Sequence, residues 1–169
     1  MGSDNSTDRK TIFVVGLGMV GIAFIEKLLN LDENKKYRII TCGEENHLAY
    51  NRVALTDYFQ HRSVEKLYLN PVEWYSQQDP ESFEFHIGET CTHIDTDNHV
   101  VLTDKGRQFA YDHCVIASGS NASLPAYADL SLPGVFVYRN ISDINSLISY
   151  ANKGKKPLRA SKVSSGYTA

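Results

Sequence analysis

Short apolar segments and polar turns alternate over the first 45 residues of the chain. Residues 11–15 (TIFVV) are apolar or β-branched throughout, which predicts a strand buried on both faces of a parallel sheet. From Val20 to Leu29 the apolar residues fit one helix that packs on this sheet. Because a second apolar strand is predicted from Tyr37 to Cys42, the segment forms a strand–helix–strand unit of the βαβ type.

Beyond residue 45 the pattern changes to shorter elements. Short helices are expected at Leu55–Phe59 and Pro71–Ser76. A group of short strands is expected in residues 83–88, 91–95, 99–104 and 107–118, with HCVIASG (113–119) as an apolar strand that runs into glycine. Tight turns at TDNH and TDKG separate the middle strands and predict a small antiparallel β-meander.

The last predicted elements are a strand at VFVYR (135–139) and a helix in residues 140–154 that Ser142 or Asp143 caps. Residues 1–10 are polar and residues 153–169 are rich in lysine, serine and glycine without periodicity, so both are expected to be disordered. The pattern therefore predicts one folded domain over residues 11–152.

Composition and charge exclude several functional classes. The net charge of −3 gives no basic surface for non-specific binding to nucleic acid, and no apolar run approaches the roughly 20 residues of a membrane helix. Cys42, Cys91 and Cys114 are widely spaced and form no CxxC motif, so neither a zinc site nor a dithiol redox pair is indicated. We expect reduced thiols in a cytoplasmic protein, and no metal site.

The turn between the first strand and the first helix carries the sequence GLGMVG, with glycines at 16, 18 and 21. The first N–H groups of a helix lack internal partners, and the helix dipole places about half a positive charge there. Gly16 allows the tight turn, Gly18 allows a pyrophosphate to approach the main chain, and Gly21 allows close packing. The candidate cofactor-binding residues of this turn are Gly16, Gly18, Met19, Val20 and Gly21. The alternative is a structural glycine turn that binds no ligand.

An acidic pair follows the second strand, where a dinucleotide fingerprint expects a carboxylate for the ribose hydroxyls. Glu44 and Glu45 come directly after Gly43, and Glu44 is preferred because it is nearer the strand end. A carboxylate at this position disfavours a 2′-phosphate, and so NADP. It does not distinguish NAD from FAD.

Three further segments carry a family resemblance: HLAYNRVALTDYF (47–59), YLNPVEWY (68–75) and YDHCVIASGS (111–120). With the glycine turn they make residues 11–151 resemble the N-terminal FAD-binding part of assimilatory NAD(P)H nitrite reductase of the large-subunit type. That part belongs to the flavoprotein reductases with two dinucleotide-binding domains. The resemblance implies an α/β fold, a Rossmann-like parallel sheet with a small antiparallel meander, and FAD as the cofactor.

The resemblance also implies roles for single residues. Arg52, the arginine of YNR, would direct its guanidinium at the FAD pyrophosphate; the alternative is a surface ion pair. Asn51 and Leu55 would lie near the flavin side of the cofactor. Other expected contacts are Ala117, Ser118 and Gly119 of ASGS, and the main chain at Cys91 or Thr92 for adenine.

The resemblance ends near residue 152. A complete reductase of this type continues with a second glycine fingerprint for NAD(P)H, and PLRASKVSSGYTA does not match one. We therefore expect an incomplete FAD-binding fold, with no siroheme and no iron–sulfur cluster in this chain, that does not reduce nitrite alone.

The functional expectation is a FAD-binding oxidoreductase fragment of this family. In the complete enzyme a hydride passes from NAD(P)H to the flavin and electrons pass onward to the metal centres. No nucleophile or acid–base constellation is present, so no catalytic residue is named. The alternatives are a non-enzymatic dinucleotide-binding module and a stand-alone NAD-dependent dehydrogenase domain. A homo-oligomer stays open, and the expected partner is the dinucleotide cofactor.

Overall fold

The computed structural model describes residues 9–154. These residues divide into two units: the first comprises residues 9–51 and 65–119, and the second comprises residues 52–64 and 120–154. Nearly all of the polar segment 1–10 and of the tail 153–169 lies outside the described residues. In chain order the helices and strands are β1 (Lys10–Val15), α1 (Met19–Leu31), β2 (Tyr37–Gly43), α2 (Leu55–His61), α3 (Val72–Ser76), β3 (Phe83–Ile87), β4 (Cys91–Asp95), β5 (Val100–Thr103), β6 (Gln108–Ala110), β7 (His113–Ile116) and α4 (Ile141–Asn152).

The first unit is built on a four-stranded parallel sheet with the strand order β3-β2-β1-β7. Side chains of β1 alternate between two apolar layers. Ile12 and Val14 join the core formed with α1, whereas Phe13 joins the layer that contains Ile40 and Val101 of β5. The prediction of a first strand buried on both faces is therefore confirmed, and the parallel sheet with its crossover helix is Rossmann-like.

Strands β4, β5 and β6 form a separate antiparallel sheet in the order β4-β5-β6. Its buried residue Val101 packs with Phe13 and Ile40, so the meander covers one face of the parallel sheet. The turn between β5 and β6 is closed by Gly106, whose amide donates to the carbonyl of Thr103 at 3.0 Å. The predicted β-meander is confirmed.

Strand β3 belongs to the parallel sheet, and the antiparallel meander is formed by the strands that follow it along the chain. Ile39 and Thr41 of β2 pair in parallel with Phe83 and Phe85 of β3. Phe83 is 4% exposed and its ring lies 6.0 Å from that of Trp74, so α3 and β3 bury an aromatic cluster on the α1 side of the sheet. This burial selects the parallel sheet over the more exposed meander.

Two local predictions are wrong. Residues 135–139 (VFVYR) form no strand in the second unit, since the amide of Val135 closes a turn onto Leu132 and the ring of Phe136 packs edge-on against Tyr150. Val20 and Ala23 fit the apolar face of the predicted helix, yet both are exposed on α1. Ile22 and Ile25 carry the packing of that helix, at 1% and 0% exposure.

The amino end of α4 is capped by Asn140 and not by Ser142. The side chain of Asn140 accepts the amide of Asp143 at 2.9 Å, and the Asp143 carboxylate accepts the amide of Asn140 at 3.0 Å. This reciprocal arrangement is a capping box, in which two amides without helical partners are satisfied. Asp143 therefore contributes to the cap, as one of the two predicted residues.

Replacing Asn140 with alanine is expected to lower the free energy of unfolding by about 1 kcal/mol, because the Asp143 amide loses its acceptor. Urea denaturation followed by circular dichroism measures the change. The matched control is Ser142→Ala, which removes an exposed hydroxyl that caps nothing and should leave the midpoint unchanged. An equal loss for both variants would contradict the assignment of the cap to Asn140.

Candidate functional site

Two of the three glycines in the turn after β1 are required by the fold. Gly16 has a φ of +107°, and a Cβ there would overlap the carbonyl oxygen of Ala117. A Cβ on Gly21 would overlap the carbonyl oxygen of Gly16. Gly21 thus packs against the turn itself, so the strand end, the turn and the first turn of α1 are held in direct main-chain contact.

Gly18 is different, because the fold does not need a glycine there. Its φ of −100° and ψ of −165° are extended values that any residue adopts, and a Cβ on it would meet nothing within 4 Å. Gly18 is also the N-cap of α1, a helix of 13 residues whose first turn has no acidic side chain and no side-chain cap. No group of the described residues therefore occupies the space beside Gly18, at a helix end whose first amides have no helical partners.

The end of β2 lies against the same turn. The amide of Gly16 donates to the carbonyl of Cys42 at 2.9 Å, and Gly43 sits so close to Leu17 that a Cβ on Gly43 would be 2.9 Å from the Leu17 Cβ. Glu44 is the next residue and is exposed. Glu44 therefore directly follows the residues of β2 that contact the turn, at the carboxyl edge of the sheet.

The two acidic residues after β2 have different environments. The Glu45 carboxylate accepts a 2.7 Å hydrogen bond from the hydroxyl of Tyr50, which is 4% exposed. The Glu44 side chain is exposed, and no hydrogen bond or ion pair engages it within the part of the chain that the structure describes. Glu45 is thus used in the packing of its own loop, whereas Glu44 is available to a ligand.

The end of β7 also reaches the turn. The amide of Ala117 donates to the carbonyl of Val15 at 2.8 Å, and the main chain of Ala117 and Ser118 lies at the position that a Cβ on Gly16 would need. Gly119 has a φ of +74° with open space at its Cβ position. Since β1 lies between β2 and β7, the strand order reverses here, and such reversals at the carboxyl edge are where open α/β sheets bind ligands.

The segment expected to contact adenine contains an irregularity in the sheet. Cys91 of β4 pairs with Thr103 and His93 pairs with Leu102, so Thr92 is an extra residue in a β-bulge. A bulged residue has no ladder partner for its main chain. Thr92 is exposed, and its hydroxyl donates to the carbonyl of Leu102 at 3.2 Å.

The three cysteines are free thiols in apolar surroundings. Burial raises the pKa of Cys42 to about 11, and burial also raises the pKa values of Cys91 and Cys114. The thiols are therefore protonated at neutral pH and are poor nucleophiles. Cys42 is buried, while Cys91 and Cys114 are only partly buried.

Arg52 and Leu55 belong to the second unit, whereas Asn51 is the last residue of the first segment of the first unit. The guanidinium of Arg52 donates to the carbonyl of Arg139 at 3.3 Å, and Leu55 is 2% exposed. The amide of Asn51 donates to Leu67 at 2.8 Å. The structure thus groups the turn, Glu44 and residues 117–119 in one unit, and it leaves Arg52 and Leu55 in the other.

Arg139 is a candidate that the sequence reasoning missed. Its guanidinium donates to the hydroxyl of Ser120 at 2.8 Å, while its carbonyl accepts from Arg52. The Arg139 side chain therefore contacts Ser120, Arg52 contacts the main chain of Arg139, and a guanidinium suits an anion such as a phosphate. The feature of the sequence that could have pointed to Arg139 is its position directly before Asn140, the N-cap of α4.

Other kinds of site are not found within residues 9–154. No group of three or more histidine, cysteine, aspartate or glutamate side chains is arranged to hold a metal ion there. Among the same residues, no helix has both the length and the apolar character that a membrane crossing needs.

The chain belongs to the pyridine nucleotide-disulphide oxidoreductase family, whose profile it matches over residues 10–167. It is 47% identical over 149 residues to NAD(P)H nitrite reductase of Emericella nidulans. The aligned region covers 87% of this chain and 14% of that protein. It is 48% identical over 151 residues to the Neurospora crassa protein of the same name, at 83% and 13% coverage. The chain thus spans about a seventh of these relatives.

The fold is also found in a solved structure, NADH:rubredoxin oxidoreductase from Clostridium acetobutylicum. The TM-score is 0.69 at 24% identity, covering 87% of this chain and 37% of the other. The expected fold class and the family resemblance are confirmed. This chain is a dinucleotide-binding oxidoreductase domain related to NAD(P)H nitrite reductase.

Proposed function

We propose that residues 11–152 form a FAD-binding domain that serves flavin electron transfer from NAD(P)H, as part of a nitrite reductase-like system. The observation that carries the proposal is the open space at Gly18, at the amino end of α1. A residue without a side chain, which the backbone conformation does not require, fits a ligand that must approach the main chain. Bound FAD would supply the hydride and electron chemistry.

Each candidate residue has a role in this proposal. The amides of Gly18, Met19 and Val20 would bind the pyrophosphate, with Gly16 and Gly21 shaping the turn. Glu44 would accept the ribose hydroxyls, and the main chain at Cys91 and the bulged Thr92 would meet adenine. The other proposed cofactor residues are Asn51, Arg52, Leu55, Ala117, Ser118 and Gly119. Glu45 stays a proposed cofactor residue, and Glu44 is preferred because the Glu45 carboxylate already accepts a hydrogen bond from Tyr50.

The direct test is calorimetry on the purified full chain with FAD, NAD and ADP, together with the visible flavin absorbance of the protein as isolated. We expect FAD and ADP to bind, and NAD to bind more weakly. Binding of NAD without FAD would favour the non-enzymatic dinucleotide module instead. Absence of heat with all three compounds from folded protein would overturn the proposal.

We also propose a cytoplasmic location. Three free cysteines without a disulfide are compatible with a reducing compartment. Fractionation of cells that express the chain with a tag tests this part separately from cofactor binding.

A further inference from the structure

A fully buried carboxylate, that of Glu89, lies in the first unit, next to the loop that follows β2. Glu89 is 0% exposed and follows β3 by two residues. Its Oε1 accepts the hydroxyl of Thr103 at 2.6 Å and the Nε of Arg107 at 2.9 Å, and its Oε2 accepts the Nη2 of Arg107. The charge is therefore paired through a two-point contact to one guanidinium and one hydroxyl.

The main chain around Glu89 joins two loops that carry the proposed nucleotide contacts. The amide of Gly88 donates to Glu45 and the amide of Glu89 donates to Gly43, each at 2.9 Å. On the other side, the amide of Thr90 donates to the Asp104 carboxylate at 2.9 Å, and the Asp104 amide donates back to Thr90 at 3.0 Å. Residues 88–90 thus connect the loop of Glu44 to the turn between β5 and β6.

Gly88 lies at this connection in a backbone conformation that favours glycine. It has a φ of +61°, and a Cβ there would overlap the side-chain oxygen of Asn46 in the loop after β2. The two main-chain hydrogen bonds from Gly88 and Glu89 hold this segment to residues 43–46. Glu89 then fixes the same segment to the meander through its side chain.

We propose that Glu89, paired with Arg107, is a positioning residue for nucleotide binding: it sets the loop of residues 88–92 against the end of β2. The inference rests on the proposed function. An ion pair with one fully buried partner is a costly way to hold two loops, and apolar residues of similar volume often stabilise as well or better. The pair instead fixes the orientation of the Glu89 loop relative to the meander, because both oxygens of one carboxylate are bound by Arg107.

The first experiment needs no ligand. Glu89→Gln keeps the size of the side chain and removes its charge, so Arg107 loses its partner. Amide hydrogen exchange on the cofactor-free chain should become at least about tenfold faster at residues 88–92, while β1 and β2 keep their protection. Unchanged exchange at residues 88–92 would overturn the positioning role, whether or not the chain binds FAD.

The second experiment measures ADP affinity by calorimetry at a temperature where each variant is folded. Glu89→Gln should weaken ADP binding at least about tenfold. The matched control is Phe83→Leu, which replaces a buried aromatic ring at the opposite end of β3 with a smaller side chain. This variant should have a lower melting temperature, but its affinity for ADP should change less than about twofold. Equal losses for both variants would show a general stability effect. If the parent chain binds neither ADP nor FAD, the proposed function fails, while the exchange result still decides the role of Glu89.

A double-mutant cycle tests the pairing itself. Arg107→Gln leaves the Glu89 charge buried without its cation, so this single variant should be the most impaired in exchange protection. The double variant Glu89→Gln/Arg107→Gln removes both charges and should be no worse than Arg107→Gln alone. Additive losses would contradict a paired function.

Discussion

Replacing Gly18 with valine is expected to abolish FAD and ADP binding while the cofactor-free chain stays folded. The new side chain would extend into the space that is open at Gly18, in front of the first amides of α1. A pyrophosphate could not then reach those amides. We expect a loss of affinity of at least a hundredfold, or about 2.8 kcal/mol, in calorimetry.

The stability of the Gly18 variant is the informative second measurement. Because the backbone there is extended and unobstructed, the free energy of unfolding should change by less than about 1 kcal/mol, mostly through the weaker N-cap. Thermal and urea denaturation without ligand measure this change.

Gly16→Ala provides the contrasting control. Its φ is positive and its Cβ would overlap Ala117, so the cofactor-free protein should lose about 1–3 kcal/mol of stability. If Gly18→Val binds FAD like the parent chain, the open space is not the pyrophosphate position. If it unfolds like Gly16→Ala, the turn depends on Gly18 in a way that the geometry does not indicate.

Replacing Glu44 with alanine is expected to weaken ADP binding by about 1–3 kcal/mol, because the ribose hydroxyls lose a charged acceptor. The residue is exposed, so the free energy of unfolding should stay within about 0.5 kcal/mol of the parent value. Calorimetry with ADP and denaturation without it give the two numbers.

Glu45→Ala is the matched control for Glu44, since it removes the neighbouring carboxylate. It breaks the hydrogen bond from the buried Tyr50 hydroxyl, so it should reduce stability more than Glu44→Ala does. A reversed result, with affinity lost at Glu45 and kept at Glu44, would exchange the two roles.

A third readout is charge-specific. ADP that carries a 2′-phosphate should bind the parent chain more weakly than ADP, and the difference should shrink in Glu44→Ala as the negative charge disappears.

The sequence was most informative where burial is nearly complete. β1 and β2 each carry a buried apolar or β-branched centre and stop at a glycine, so their predicted limits differ from the observed ones by one residue. The glycine spacing then identified the turn: Gly16 and Gly21 meet packing requirements of the fold, and Gly18, which the fold does not require, fits the approach of a ligand. Those residues leave FAD and NAD open, and the prediction of FAD came from the family resemblance.

Longer-range contacts were beyond this reasoning. Glu89 and Arg107 are 18 residues apart with no periodic relation, and only the folded turn brings them together. The FEFHI strand has the same alternation as the meander strands, and its place in the parallel sheet depends on aromatic partners from α3. VFVYR has strong strand propensity, yet no neighbouring strand pairs with it within the described residues.

The unequal demands on the three glycines also bear on how such a domain can change over evolutionary time. Selection for a foldable chain alone keeps Gly16 and Gly21, because any larger residue collides with neighbouring backbone. Selection for folding does not require glycine at position 18, where a side chain would meet no other group. A descendant that has ceased to use the coenzyme should therefore drift first at that codon and persist as an intact scaffold. An aligned set of natural sequences in which the middle glycine alone has diverged would mark members that have become pseudoenzymes.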